Sequence, residues 1–300
     1  MTECTGTGSL KDRINAEMEQ LTASERKIAN VVLADYPYGG LETIQELARR
    51  TRVSAPSITR FIAKIGCAGY QDFQRQLISE LKQRELSPIE LKITEAPPEG
   101  AHLLTDYTRR LIRQMTYMAE NMPQRQFDEV CELIADPSRN VFIIGGRVTD
   151  SIAQLLSIHL RQMRSRIYHM PGNPELWPEY VLRMRKQDIV IVFDVRRYQP
   201  QLAQLAHLIS EQRQSTIVAI TDKWMSPVAS YARHVFAVPI ELETAWDTQV
   251  CLVTLVEAII VRVSEMDWTA TRKRIESWDR IRFSLQDALK EGGGTEPDAE

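Results

Sequence analysis

Four groups of residues in this 300-residue sequence have types and spacings that can do chemistry. The first lies between Leu47 and Gln71. Arg49, Arg50, Arg52, Arg60 and Lys64 stand there without one acid, giving +5 in a chain whose net charge is −3. An acid-free basic window is an electrostatic footprint for a polyanion, and the phosphates of double-stranded DNA fit it. Ser54, Ser57 and Thr59 are small polar groups near a helix start that can approach base edges, while Arg52, Arg60 and Lys64 reach phosphates. The alternative is a helical hairpin with a solvated basic face.

The second group is Gly145-Gly146-Arg147-Val148-Thr149, directly after the apolar run Val141–Ile144. A buried strand, a glycine turn and a helix start form an anion cradle, because helix N–H groups point into the turn. Such a turn can also be purely structural. The G-x-G-x-x-G pattern is absent, which argues against a dinucleotide cofactor. The third group, Asp194-Val195-Arg196-Arg197-Tyr198, follows the run Ile189–Phe193. Ligands of open α/β sheets sit outside the carboxyl ends of the strands, where Arg196 and Arg197 can hold a phosphate or carboxylate. An ion-paired loop is the other reading. The fourth is Glu243-Thr244-Ala245-Trp246-Asp247-Thr248. Trp246 and Asp247 can line the same mouth, with Tyr198 and Trp246 as its apolar walls, but the favoured reading has Thr244 or Asp247 capping the next helix.

The elements that must position these groups fall into two sets. Up to residue 85 the pattern is helical throughout. Thr22 with Glu25 and Thr43 with Glu46 have capping-box spacing, and Ser54 is placed to cap a helix with Pro56 in its first turn. Ile58, Phe61, Ile62 and Ile65 make one buried stripe, and Gly66 is suited to close that helix in a left-handed conformation. A capped helix, a three-residue break and a second helix, with Ala48 small enough for a close crossing, describe a helix-turn-helix. Three prolines mark 86–100 as a linker. Beyond 101, helical stretches at 103–121 and 124–135 precede short apolar runs at 141–144, 189–193, 216–220 and 235–238, with a weaker one at 166–169. Helix-period segments at 149–163, 199–212 and 226–232 lie between most of them. That alternation predicts a parallel sheet covered on both faces. Long helices are expected over 246–265 and 268–290. The expected organisation is a DNA-binding domain over 1–85, the linker, an α/β domain over 101–290 and a flexible tail over 291–300.

Several classes are excluded. No run of about 18 apolar residues exists, so no membrane span is expected. The N-terminus has no basic start before an apolar core, so no secretory signal is expected. Cys4, Cys67, Cys131 and Cys251 lie far apart and form no C-x-x-C pair, which predicts reduced thiols in a cytoplasm rather than zinc ligands or disulfides. His102, His159, His169, His207 and His234 are scattered, none at catalytic spacing to Ser, Asp or Glu. No catalytic residue, metal or cofactor is therefore expected. The late helix carrying Val250, Leu252, Val253, Leu255, Val256, Ile259 and Ile260 is apolar on more than one face and needs a second surface, within the fold or across subunits. At least a dimer is expected, bound to a palindromic operator.

Leu21–Ala29, Thr43–Ala48, Val53–Phe61 and Ile65–Tyr70 resemble the RpiR-type transcriptional regulators, and Ile220-Thr221-Asp222 with Ser226–Ala229 resembles their sugar isomerase (SIS) domain. The resemblance implies a five-stranded parallel sheet in a three-layer αβα sandwich. It implies a bacterial regulator that oligomerises, as a dimer or tetramer, and senses a small metabolite, usually a sugar phosphate. Two loops depart from the family pattern. Arg147 and Thr149 replace the second glycine and the serine of G-x-G-x-S. Asp194, Arg196, Arg197 and Gln199 replace the small residues of S-x-S-G-x-T. Two readings follow: Arg147, Arg196 and Arg197 converge on an anion, a sugar phosphate or organic acid, or Asp194 or Asp247 balances them internally and the closed site binds nothing. The competing function is a SIS-type isomerase with a helical appendage. It needs a base at the pocket. None lies in the two loops, although Glu241 and Glu243 are near.

Overall fold

The computed structural model describes residues 9–34, 36–85, 89, 91 and 102–292. Cys4, the linker apart from Ile89 and Leu91, and the tail beyond Gly292 lie outside them.

The N-terminal helices are α1 (Leu10–Glu17), α2 (Ala23–Ala34), α3 (Ile44–Thr51), α4 (Ala55–Lys64) and α5 (Tyr70–Glu85). Reciprocal side-chain bonds start three of them. Ser9 with Asp12 caps α1 and Thr43 with Glu46 caps α3. At α2, the Thr22 N–H donates to Glu25 Oε2 at 2.8 Å and the Glu25 N–H to Thr22 Oγ1 at 3.3 Å. Ser54 departs from expectation: it occupies the N-cap of α4, but its hydroxyl lies 3.0 Å from the Ser57 hydroxyl instead of on a backbone amide. Leu47, Ile58, Phe61 and Ile62 are fully buried with Leu10, Ile14, Ile28, Val32, Phe73 and Leu77, so the stripe on α4 is the core of a five-helix unit. Gly66 closes α4 at φ +80°.

The second set opens with α6 (Leu103–Asn121) and α7 (Gln124–Ala135). It continues β1 (Val141–Gly145), α8 (Asp150–Met163), β2 (Ile167–His169), α9 (Trp177–Arg183), β3 (Ile189–Phe193), α10 (Pro200–Gln212), β4 (Thr216–Thr221) and β5 (His234–Ala237). It closes with α11 (Val250–Met266) and α12 (Trp268–Gly292). The sheet is wholly parallel in the order β2-β1-β3-β4-β5, with Gly145 opposite Phe193 and Phe193 opposite Ile220. Alternate strand side chains enter two cores. Val141, Ile143, Ile189, Ile191, Phe193, Val218 and Ile220 pack with α7, α8 and α11. Phe142, Ile144, Val190, Val192, Ile217 and Ala219 pack with α9 and α10. Two buried faces explain why these strands read as unbroken apolar runs.

Three expectations change. Residues 227–231 form a short 3-10 turn and not an α-helix. A seven-residue helix, α9, lies where no helix is expected. The helix after the fourth loop begins at Val250. Thr248 Oγ1 accepts from the Val250 N–H at 3.2 Å, so neither Thr244 nor Asp247 caps it. The several apolar faces of α11 are met inside the chain, by α6, α7 and α8.

Candidate functional site

The loops after β1 and β3 face one another because those strands are neighbours. A cleft of about 240 Å³ opens between them. It is lined by Gly146, Arg147, Val148 and Thr149 from the first loop, Asp194–Arg197 and Gln199 from the second, and Ala245–Asp247 and Gln249 from the approach to α11. The two glycines differ in role. A Cβ on Gly145 would sit 2.5 Å from the Asp150 backbone nitrogen, so this glycine lets α8 start against the strand. A Cβ on Gly146 would meet nothing nearer than 3.4 Å. Thr149 is buried. Its hydroxyl donates to the Phe193 carbonyl at 2.8 Å and accepts from the Gly146 N–H at 2.9 Å, tying the two loops together.

The three arginines do not behave alike. The Arg196 side chain is 3% exposed and bridges Asp247, 3.0 Å away, and Glu241, 3.3 Å away. Its guanidinium lies 4.2 Å over the Trp224 ring, and Lys223, 2.5 Å from Glu241, lies 4.7 Å over the same ring. Arg196 is therefore a neutralised structural charge. Arg147 and Arg197 are exposed, and no carboxylate lies within salt-bridge distance of either among the described residues. Arg197 takes a left-handed backbone conformation, φ 65°. Tyr198 is not an apolar wall: its hydroxyl donates to Asp222 Oδ1 at 2.5 Å. Asp222 also accepts the Arg196 N–H at 2.5 Å and the Trp224 N–H at 3.0 Å. Burial pushes the Asp222 carboxyl upward, opposed first by the Tyr198 bond. Burial pushes the Asp247 carboxyl up to about 6; Arg196 opposes the shift, and the charges of Asp222 and Glu241 add to it. Trp246 is 73% exposed at the rim.

A second surface belongs to α4. Ser54, Thr59, Arg60 and Lys64 are exposed and Ser57 is half-buried. Arg60 donates to Ser57 Oγ at 3.1 Å, holding its guanidinium near the helix start. Arg52 is exposed and ends α3 in a left-handed conformation, φ 54°, that forms the turn. Lys64 is drawn inward, donating to the Gln20 carbonyl at 2.7 Å and pairing with Glu25 at 3.5 Å. Arg50 is likewise paired, with Glu42 at 3.1 Å.

Sequence reasoning missed Trp224, Lys223 and Gln249. Nothing in their spacing links them to the arginine loop; only the sheet brings β4 and the α11 approach beside it. It also missed the 2.9 Å pair between His169 Nε2 and Asp150 Oδ1, formed because β2 and the start of α8 share one sheet edge.

Residues 8–84 match the helix-turn-helix domain of the rpiR family, and residues 133–262 match the SIS domain. An uncharacterised helix-turn-helix transcriptional regulator of Haemophilus influenzae is 24% identical over 235 residues, 76% of this chain and 79% of its own. The solved NanR protein of Vibrio vulnificus, complexed with ManNAc-6P, superposes with a TM-score of 0.53 at 16% identity, covering 92% of this chain and 99% of that one. The sugar isomerase domain of an RpiR transcription factor from Sphaerobacter thermophilus superposes at 0.54 and 17% identity, covering 60% of this chain and 98% of that one. These likenesses establish the fold: a helical DNA-binding-type domain followed by a five-stranded parallel sheet between helices.

Proposed function

Because this chain belongs to the RpiR family of transcriptional regulators with a SIS domain, we propose that it binds operator DNA through α4 and tunes that binding with an anionic metabolite held in the β1–β3 cleft. The observation that carries the effector reading is the pair of exposed guanidiniums that have no carboxylate partner among the described residues, Arg147 and Arg197, at two adjoining strand ends beside the start of α8. A phosphate or carboxylate is the partner such a pair lacks, and the α8 N-terminus favours the same charge. Trp246 offers an apolar wall at the rim. A sugar phosphate or an organic acid fits this chemistry, and the ManNAc-6P bound by NanR makes sugar phosphates the first class to try.

Arg52, Ser54, Ser57, Thr59 and Arg60 are the DNA-facing set, with Lys64 contributing less because Glu25 already holds it. Gly145, Gly146 and Thr149 shape the cleft; Arg196, Tyr198 and Asp247 brace it. The protein is proposed to act in the cytoplasm as a dimer or tetramer on a palindromic site, with exposed Leu103, Leu104 and Ile112 on α6 as apolar surface for assembly. We read the cleft as non-catalytic. An isomerase base must be free to take a proton, and Glu241 and Asp247 are held by Arg196 and Lys223.

The test is calorimetric titration of the full chain with a panel of sugar phosphates and organic acids. One class should bind, and Arg147→Ala or Arg197→Ala should weaken it at least tenfold. A ligand that binds both variants as well as the parent would contradict the assignment.

A further inference from the structure

A second cleft, of about 510 Å³, lies at the opposite end of the sheet, where α8 ends and β2 begins against α12. Arg161, Arg164, Arg166 and Arg274 line it together with Trp278 and Ile158, and no acid among the described residues does. In a chain of net charge −3, four guanidiniums around one concavity need an explanation. The fold accounts for only part of it. Arg164 directs its nitrogens to the carbonyls of Ile134, Arg139 and Ser165, which makes it a fixed charge behind the cleft. Arg166 gives one nitrogen to the Ser138 carbonyl at 2.9 Å, and Arg274 gives its Nε to the Arg161 carbonyl at 2.9 Å. The terminal nitrogens left on Arg166 and Arg274, and the whole guanidinium of Arg161, have no hydrogen bond among the described residues. Trp278 is 44% exposed and Ile158 46% exposed, so an apolar wall stands beside the charges.

We propose that this cleft binds a nucleoside triphosphate, with its phosphates on Arg161, Arg166 and Arg274 and its base against the Trp278 indole. Pre-anchored guanidiniums suit phosphate oxygens, which take two parallel N–H bonds from each fork. The Arg282 guanidinium lies 5.6 Å from the Trp278 ring centroid, and the part of the indole left exposed is a stacking platform that a bare polyphosphate does not use. The concavity has the size of a small-molecule pocket, which favours a nucleotide over a DNA duplex. Like charges crowded in one cleft repel one another, and a polyanion removes that repulsion. The site stands at the end of the sheet away from Arg147 and Arg197, so the proposal is independent of the effector reading.

Calorimetric titration of the full chain with ATP, with inorganic triphosphate and with a non-operator duplex separates the outcomes. One ATP should bind per chain. Arg161→Glu should weaken it at least tenfold, and Trp278→Ala at least threefold, while Arg197→Ala leaves it unchanged. Arg161 uses no side-chain bond in the fold, so Arg161→Glu should melt as the parent does; Arg161→Gln serves as the milder variant. The proposal is overturned if ATP does not saturate, if both Arg161 variants bind it normally, or if its binding is lost in Arg197→Ala. It is equally overturned if triphosphate matches ATP with Trp278→Ala silent, or if the duplex displaces ATP.

Discussion

Arg196 carries its charge into a site where only 3% of its side chain meets solvent, and two carboxylates and an indole receive it. Removing it leaves Asp247 without its cation, while Glu241 keeps only Lys223. Arg196→Met should therefore destabilise the protein by about 3 kcal/mol, the low end for breaking a buried pair because Glu241 is partly solvated. Equilibrium urea unfolding at pH 7 checks this, and a loss below about 1 kcal/mol would contradict it. Asp247 adds a pH signature. Its folded value is raised from 3.8 to about 6, so between those values the folded state holds a proton that the unfolded state has released. Stability through this group falls as pH rises across that window, and the penalty is complete above it. Asp247→Asn should gain stability relative to the parent as pH goes from 4 to 6.5; a constant difference would refute the shift. The sequence showed that Arg196 stood at a strand's carboxyl end. It also offers Asp247 as a balancing acid, and Asp247 does pair with Arg196; the second partner, Glu241, escapes it because that residue lies far downstream and reaches Arg196 only through the sheet.

Helices and strands were more legible, because their cause is local. Capping boxes at Thr22 and Thr43 and the stripe Ile58-Phe61-Ile62-Ile65 work over a few residues, and each element forms where its pattern stands. Helix α9 escaped notice because seven residues with a proline in the first turn show too little periodicity. The β1–α8 turn gives a sharp test of role. Gly145→Ala should cost about 1–3 kcal/mol from overpacking against the Asp150 backbone. Gly146→Ala should stay within about 0.5 kcal/mol of the parent. Thermal denaturation of both variants decides it, and equal losses would contradict the geometry. On α4 and its turn, Arg52→Ala and Arg60→Ala should each flatten the slope of log K against log salt by about 0.9, one phosphate apiece. Lys64→Ala should change it less, since Glu25 and Gln20 already hold the ammonium. Fluorescence anisotropy on an operator duplex measures all three, and a larger effect at Lys64 would reverse the assignment.

At the scale of the whole molecule, regulation requires that the ligand bind the DNA-competent and DNA-incompetent states with different affinity, since only a difference shifts the population. The β1–β3 cleft is suited to create one. Its walls come from the two central loops and from the approach to α11, a helix that itself packs against α6, α7 and α8. An anion drawn to Arg147 and Arg197 would pull on those loops together, while the Arg196 cluster keeps the floor in place. The measurement that tests this most directly is operator binding by the full chain, followed by anisotropy with and without each candidate anion. It is then repeated in the Arg147→Ala/Arg197→Ala double variant. At least one sugar phosphate or organic acid should change the operator Kd fivefold or more in the parent, about 1 kcal/mol of coupling, and leave the double variant's Kd unmoved. An effector that shifts Kd equally in both proteins would contradict the account.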